Sequence, residues 1–344
     1  MIDENENNAA MSAVQRIEYV GKIRRAQEEI KERVPEQMSH WPEDVRAVAN
    51  ELARCSLFSA RNPRSPRLHY SNTRLFSIGK DAKITYTGEE LRALDQGVWL
   101  TAIHKARRLK GNQLVFSMSN IEICKLNGWE PKQSYYTEIY RSFQRLKATS
   151  LNVRSKRLVM AVACGRARAN NAPPEELAQL YEKLAAYDRG EVPDDDDGDG
   201  LMLSLIGSAV YSGGKGRAVN NIPQGNLTWE IVIEPEMAML FAQPFLTFLG
   251  QPLRESLSWS ARVLLTYYAS HAKPFDVLIS TLAEYLKLDG EFKANRRTVL
   301  RALDELVEAG FLLEATPNED RGDTTVKVLR AKYAPENDAP LPGE

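Results

Sequence analysis

Residues 113–149 read QLVFSMSNIEICKLNGWEPKQSYYTEIYRSFQRLKAT, and the elements spelled there decide the fold. Gln113 to Met118 has the look of a short strand. Ser119 then stands at an N-cap, and Glu122 three residues on completes a capping box for a short helix that stops at Asn127-Gly128. After Pro131 a third helix is expected from about Gln133 to Thr149. Upstream, Gly88-Glu89-Glu90 reads as the opening of a helix to about Leu109, with Leu91, Leu94, Val98, Ala102 and Ala106 on one face and Gly111-Asn112 as the breaker. Downstream, Leu151 to Cys164, Leu201 to Ser212 and Leu227 to Glu234 are rich in strand formers. Helix, strand, helix, helix, strand, strand is the order of a winged helix, a helix-turn-helix followed by a β-hairpin.

The order recurs near the C-terminus. Leu257 to His271 is helical, Pro274 to Leu278 a short strand, and Ser280 to Leu288 a capped helix with Glu284 in its first turn. Phe292 to Ala309 is a longer helix ended by Gly310, and Phe311 to Ala315 with Thr324 to Leu329 forms a hairpin around residues 318–322. The two halves share a pattern and no sequence. The expected class is therefore α+β, with tandem winged-helix domains behind a flexible N-terminal arm. Residues 1–70 are the arm, partly helical and basic near its end, where Arg54, Arg61, Arg64 and Arg67 occur without an acid and Pro63 and Pro66 keep the chain extended. Residues 71–243 form the first domain and 244–334 the second. Residues 335–344 are a Pro-rich disordered tail. An insertion at 165–200, with a helix from Pro173-Pro174 to Tyr187 and an acidic loop from Asp194 to Gly200, is expected as a surface excursion.

The net charge of −1 hides an asymmetry. From Lys132 to Arg168 nine basic residues face the single acid Glu138, a net of +8, whereas ten acids face Lys183 and Arg189 between Glu175 and Asp199, a net of −8. Segmental charge, and not the total, indicates the partner. A helix that reads DNA needs an apolar face to hold it and a short polar or cationic face for the major groove. In the third helix Tyr136, Ile139, Tyr140, Phe143 and Leu146 fall at core spacing, leaving Ser134, Thr137, Arg141, Arg145 and Lys147 for DNA. In the second domain Val299, Leu300, Leu303, Leu306 and Val307 form the buried stripe, leaving Asn295, Arg296, Arg297 and Arg301. Arg154, Lys156 and Arg157 are the cations expected to add phosphate contacts from a hairpin.

Catalytic chemistry has no visible residues. His40, His69, His104 and His271 are isolated, without the His-hydrophobe-His pair that holds a metal in tyrosine-dependent nicking enzymes, so Tyr135, Tyr136 and Tyr140 are read as packing or stacking residues. Gly213-Gly214-Lys215-Gly216 lacks the upstream Gly and the Ser or Thr of a P-loop. Arg321-Gly322-Asp323 is turn chemistry, and Asp194 to Asp197 lacks calcium-loop spacing. Cys55, Cys124 and Cys164 are widely spaced among apolar neighbours, which argues against disulfides and zinc. The chain is expected to be no enzyme, to need no cofactor or metal, and to be cytoplasmic in a bacterium. It has no apolar run of membrane-spanning length, and Met1 to Ala10 is unlike a secretory signal.

Specific stretches resemble a known family. Ser56 to Asn62 (SLFSARN), Lys80 to Arg92 (KDAKITYTGEELR), Leu126 to Trp129, Tyr135 to Thr137, Arg145 to Thr149, and Leu257-Ser258 with His271 to Pro274 closely resemble the TrfA family of plasmid replication initiators, in order over roughly residues 41–275. The resemblance implies binding of double-stranded origin DNA at directly repeated sites (iterons), help in melting an AT-rich segment, and recruitment of host DnaA and the replicative helicase. It also implies a balance of monomer and dimer tied to plasmid copy control. The family's Gln-Leu-Ser-Leu-Phe segment, which docks on the sliding clamp, is replaced here by Glu36 to Trp41 without a Leu-Phe pair, so clamp binding is not carried over. The acidic insertion also looks extra, and reads either as a passive loop or as a DNA mimic over the basic helix. Two other functions use similar parts. A winged-helix transcriptional repressor predicts stable dimers on one palindrome, and a rolling-circle nicking enzyme predicts metal-dependent cleavage with a tyrosyl–DNA adduct.

Overall fold

The computed structural model describes residues 41–330 apart from 79–82, 108, 110–113, 190, 194–199, 216–217, 242–245, 272–273 and 321–322. The helical part expected in the arm before residue 41, the tip of the acidic loop and the C-terminal tail lie outside the described residues.

From Trp41 onward the expected arm is core. Strand β1 (Val45–Ala49) is buried along its whole length and pairs antiparallel with β11 (Leu246–Gly250), about two hundred residues later. The Trp41 indole donates to His104 Nδ1 at 3.1 Å, so the other ring nitrogen donates to Glu43 at 3.0 Å. Burial and the charges of Arg46 and Arg107 push the His104 pKa down to about 3, which keeps the imidazole neutral. A short helix, α1 (Asn50–Ala53), leads to β2 (Phe58–Ser59), which runs parallel to β5 (Leu91–Arg92). The Pro-containing segment between residues 60 and 67 is a strap held by its arginines, not a loose extension.

Strands β3 (His69–Arg74) and β4 (Lys83–Glu89) join β7 (Ser150–Arg154) and β8 (Gly200–Leu203) in a four-stranded antiparallel sheet, order β3-β4-β7-β8. The residues expected to open a helix at Gly88 thus end a strand, and helix α2 (Ala93–Ala106) begins later, at Ala93. The period-two alternation of Ile84 and Tyr86 inward with Lys83, Thr85 and Thr87 outward overrides the helix-start signal of the acids. A later acid starts the helix: Arg92 N donates to the Asp95 carboxylate at 2.8 Å.

The next elements follow expectation: β6 (Leu114–Ser119), α3 (Asn120–Leu126) with Ser119 Oγ accepting from Glu122 N at 3.2 Å, and α4 (Gln133–Lys147). The stretch 151–164 does not. After β7 the chain forms helix α5 (Lys156–Ala169), with Ser155 Oγ accepting from Leu158 N at 3.1 Å, and α5 packs on α6 (Pro174–Asp188). A continuous apolar run such as Leu158 to Cys164 is compatible with strand or helix, and the Ser155 cap decides. The excursion therefore begins at Ser155 and not at Gly165. The hairpin of the first unit is β9 (Ser208–Ser212) with β10 (Thr228–Ile233), and its sheet order is β6-β10-β9.

Helices α7 (Pro235–Leu240) and α8 (Gln251–Ser256) flank β11. Then come α9 (Trp259–Ala269), β12 (Val277–Leu278), α10 (Ile279–Tyr285), α11 (Phe292–Glu308), β13 (Leu312–Asp320) and β14 (Asp323–Arg330). The sheet order β12-β14-β13 repeats that of the first unit, with the first strand beside the third and the third beside the second. Ser280 does not cap α10; Leu278 occupies that position without a side-chain bond. Gly310, at φ +69°, ends the run of α11 as glycine does after a helix.

Buried charge locks these parts together. Asp95 is fully buried and accepts from Arg67 at 2.7 Å, Arg145 at 2.7 and 3.0 Å and Ser142 at 2.6 Å. Burial alone would raise its pKa, but the charges of Arg145 and Arg67 with the Ser142 and Arg92 hydrogen bonds outweigh this and hold it below the usual carboxylate value. Glu90, also buried, binds Ser59, Arg92 and Arg61, and Arg61 reaches Asp289 of the second unit at 2.5 Å. Ala60 N donates to Leu286 O at 2.9 Å, and the Lys287 ammonium lies 4.5 Å from the Tyr70 ring centre. Asp95→Ala leaves the buried Arg145 and the half-buried Arg67 without their nearest anion, so it is expected to cost about 3–5 kcal/mol in urea unfolding at pH 7. Because the folded pKa is depressed, this contribution is whole above the unfolded pKa and is lost as pH falls from there through the folded pKa; the gap between wild type and variant should narrow below about pH 4.

Candidate nucleic-acid interface

Two helices present cations from the same place in their units. In α4 the buried side chains are Ile139, Tyr140, Phe143 and Leu146, as the spacing requires, with Ser142 and Arg145 added. Ser134, Arg141, Gln144 and Lys147 are exposed and Thr137 is half-buried. Arg141 is paired to Glu138 at 2.8 Å, a surface contact that a stronger anion can replace. Arg145 is a correction: expected on the DNA face, it is 6% exposed and turned onto Asp95. Position 145 lies at the border between apolar stripe and polar face, and a buried carboxylate on α2 draws its guanidinium inward.

Hairpin β9–β10 is fastened to α4 by aromatic contacts, with Trp229 4.5 Å from Phe143 and 5.8 Å from Tyr140, and Tyr211 5.4 Å from Tyr140 between ring centres. Tyr135 stacks on Trp129 at 5.3 Å. These tyrosines pack. Lys215 is exposed at the hairpin end, where its N–H donates to Gln224 O at 2.8 Å. Arg154, Lys156 and Arg157 are not on this hairpin, which corrects the sequence expectation. Arg154 lies exposed on β7, while Lys156 and Arg157 open α5, and Arg157 is bonded to Glu51 at 2.8 Å.

In α11, Val299, Ala302, Leu303 and Leu306 are buried. Arg297 and Arg301 are exposed, the latter 83% so, and Lys293 joins them at the same four-residue spacing. Lys293 was missed by the sequence reading, although the repeat 293, 297, 301 is the signal that finds it. Asn295 donates to Gly290 O at 2.7 Å and Arg296 donates to Thr324 of β14 at 3.4 Å, so both brace the N-terminal part of the helix. Glu305 accepts from Ser258 N through one carboxylate oxygen, and its other oxygen lies 3.8 Å from Arg301 Nε, a long surface contact that leaves Arg301 exposed. Among the described residues no group of three or more His, Cys, Asp or Glu side chains is placed to hold a metal, and no helix is long and apolar enough to cross a membrane. Cys55, Cys124 and Cys164 are buried free thiols.

Residues 10–166 match the family model described as TrfA protein. The plasmid replication initiator protein TrfA of Escherichia coli is 28% identical over 284 residues, which cover 81% of this chain and 61% of that protein. Over that stretch the chain is similar to the TrfA family. It spans about three fifths of the length of that TrfA relative. Two crystal structures of domains 2 and 3 of RctB are similar in fold, with TM-scores of 0.51 and 0.50 at 13% identity; they cover 82% of this chain and 98% and 97% of theirs. The α+β architecture of this chain, with its separate open sheets, is thus one that solved proteins share.

The burial of these cations separates structural from outward-facing ones. Arg145→Ala is expected to cost about 3–5 kcal/mol by stranding Asp95. Arg141→Ala and Arg297→Ala are expected to stay within about 0.5 kcal/mol of wild type in the same urea titration.

Proposed function

We propose that the chain is a plasmid replication initiator that grips double-stranded origin DNA through two winged-helix units, with α4 and α11 as the helices that enter the major groove. The observation that carries this reading is the repeated unit: the same strand adjacency occurs twice, and so does the element order once the β7-to-β8 segment before the first hairpin is set aside, each time with an amphipathic third helix that carries solvent-facing cations. Similarity to the TrfA family supports it. Arg297 and Arg301 are suited to base edges, where one bidentate arginine–guanine contact is worth about 1–3 kcal/mol of discrimination. Arg141, Lys147, Lys215 and Lys293 are suited to phosphates.

Two such helices on one chain fit directly repeated sites of about two helical turns, with successive major grooves about 34 Å apart. In this reading the protein binds iterons, promotes melting of the neighbouring AT-rich segment, and recruits host DnaA and the replicative helicase. Its own oligomeric balance of monomer and dimer restrains copy number. It works in the bacterial cytoplasm with no catalytic step of its own.

Footprinting on the replicon is the test. Protection of directly repeated elements is expected, and the Arg297→Glu, Arg301→Glu double variant should lose sequence-specific protection while remaining folded. If about eight phosphates are neutralised, log affinity should fall with log salt at a slope near about −7. Stable dimers on a single palindrome would favour a repressor instead, and a covalent tyrosyl–DNA adduct would make the protein a nicking enzyme.

A further inference from the structure

The four-stranded sheet belongs to neither helix-and-hairpin unit, and its two faces differ sharply. Ile84, Tyr86, Leu151, Val153 and Leu203 point into the core. The strand register sets the other face. Arg74 lies opposite Thr85, Thr85 opposite Asn152, and Lys83 opposite Arg154. Arg74, Lys83 and Arg154 are all exposed. Two cations directly opposite one another in an antiparallel pair reduce sheet stability, and a polyanion on that face reverses the sign of the effect. Around them Thr85, Asn152, Thr87 and Ser150 supply hydroxyl and amide groups suited to phosphate oxygens. Among the described residues the acid on this face is Glu89, at the end away from Lys83 and beside Arg67 at 3.7 Å.

This face is continuous with the outward side of α4. A cleft of about 630 Å³ separates them, lined by His69, Thr87 and Glu89 from the sheet and by Arg141 and Gln144 from the helix. A duplex seated on α4 would extend over the sheet.

We propose that the solvent face of the β3-β4-β7-β8 sheet, through Arg74, Lys83 and Arg154, is a further DNA contact that takes the phosphate backbone of duplex flanking the segment read by α4. The assignment rests on the DNA-binding reading above. Backbone contacts of this kind position a protein without reading sequence.

The experiment compares the full chain with its Arg74→Ala, Lys83→Ala, Arg154→Ala triple variant on the same origin fragment. Since each phosphate contact adds about 0.9 to the salt slope, the variant's slope should be shallower by about 2–3. Affinity should fall on specific and unrelated duplex alike, and the footprint should keep its repeats but shorten at one flank. An unchanged urea midpoint, or a slightly higher one, shows that the variant is folded. An unchanged slope and flank overturn the assignment. So does an unchanged slope accompanied by a shift in the sedimentation of the DNA-free protein, which would make the face a contact between two copies. Wild-type protein without affinity for DNA would remove the underlying reading itself, an outcome separate from either of these.

Discussion

The Asp95 carboxylate sits at the start of α2 with no exposure to solvent, and three parts of the chain converge on it: Arg67 from the strap, Arg145 and Ser142 from α4, and the Arg92 N–H. Taking such charges out of water costs several kcal/mol per ion, and the loss is offset only when every donor and acceptor is matched. That requirement fixes the rotation of α4 about its own axis, because Arg145 reaches Asp95 only when Ile139, Phe143 and Leu146 face the core. Arg141 and Lys147 then have no direction left but outward. A second link in the series, Ser59–Glu90–Arg61–Asp289, ties the strap to the turn before α11. The spacing of the two candidate DNA-reading helices thus depends on a line of charge that runs through the strap from the buried Asp95 and Glu90 to the exposed Asp289.

This divides the basic residues into two populations. Arg46, Arg92, Arg145 and Arg254 are buried and structural. Arg46 illustrates what burial does, since desolvation and the neighbouring Arg107 lower its pKa to about 10 while its guanidinium donates to the carbonyls of Glu43, Val45 and Leu126. Arg74, Arg141, Arg154, Lys293, Arg297 and Arg301 are exposed. Charge counted along the sequence merges the two groups, so the +8 of residues 132–168 overstates what faces a partner there. The outward field is instead spread over α4, the open sheet beside it, and α11.

Local signals carried far wherever an element is defined by its own neighbours. Ser119 and Glu122 start α3, the spacing of Ile139, Phe143 and Leu146 orients α4, and Val299, Leu303 and Leu306 orient α11 with Gly310 as its end. Those features use contacts within four residues, which a sequence displays directly. Where two local readings competed, the wrong one was open to choice. The acids at 89 and 90 looked like a helix start, and the apolar run from Leu158 to Cys164 looked like a strand. Lys293 was passed over because the run Asn295-Arg296-Arg297 drew attention from its four-residue partners.

The sequence by itself determined the two helix-turn-helix patterns, their order, and which face of each third helix is apolar, because helical periodicity is written at short range. Only the tertiary structure decided that β1 pairs with β11, that Arg145 belongs to Asp95 and not to DNA, and that Arg74, Lys83 and Arg154 share one face. Each of these depends on partners from about ten to two hundred residues apart, held by strand register or by a buried charge. Neither leaves a period in the sequence: a strand buried on both sides does not alternate, and a long guanidinium at the edge of an apolar stripe can serve either face until its counter-ion is in place.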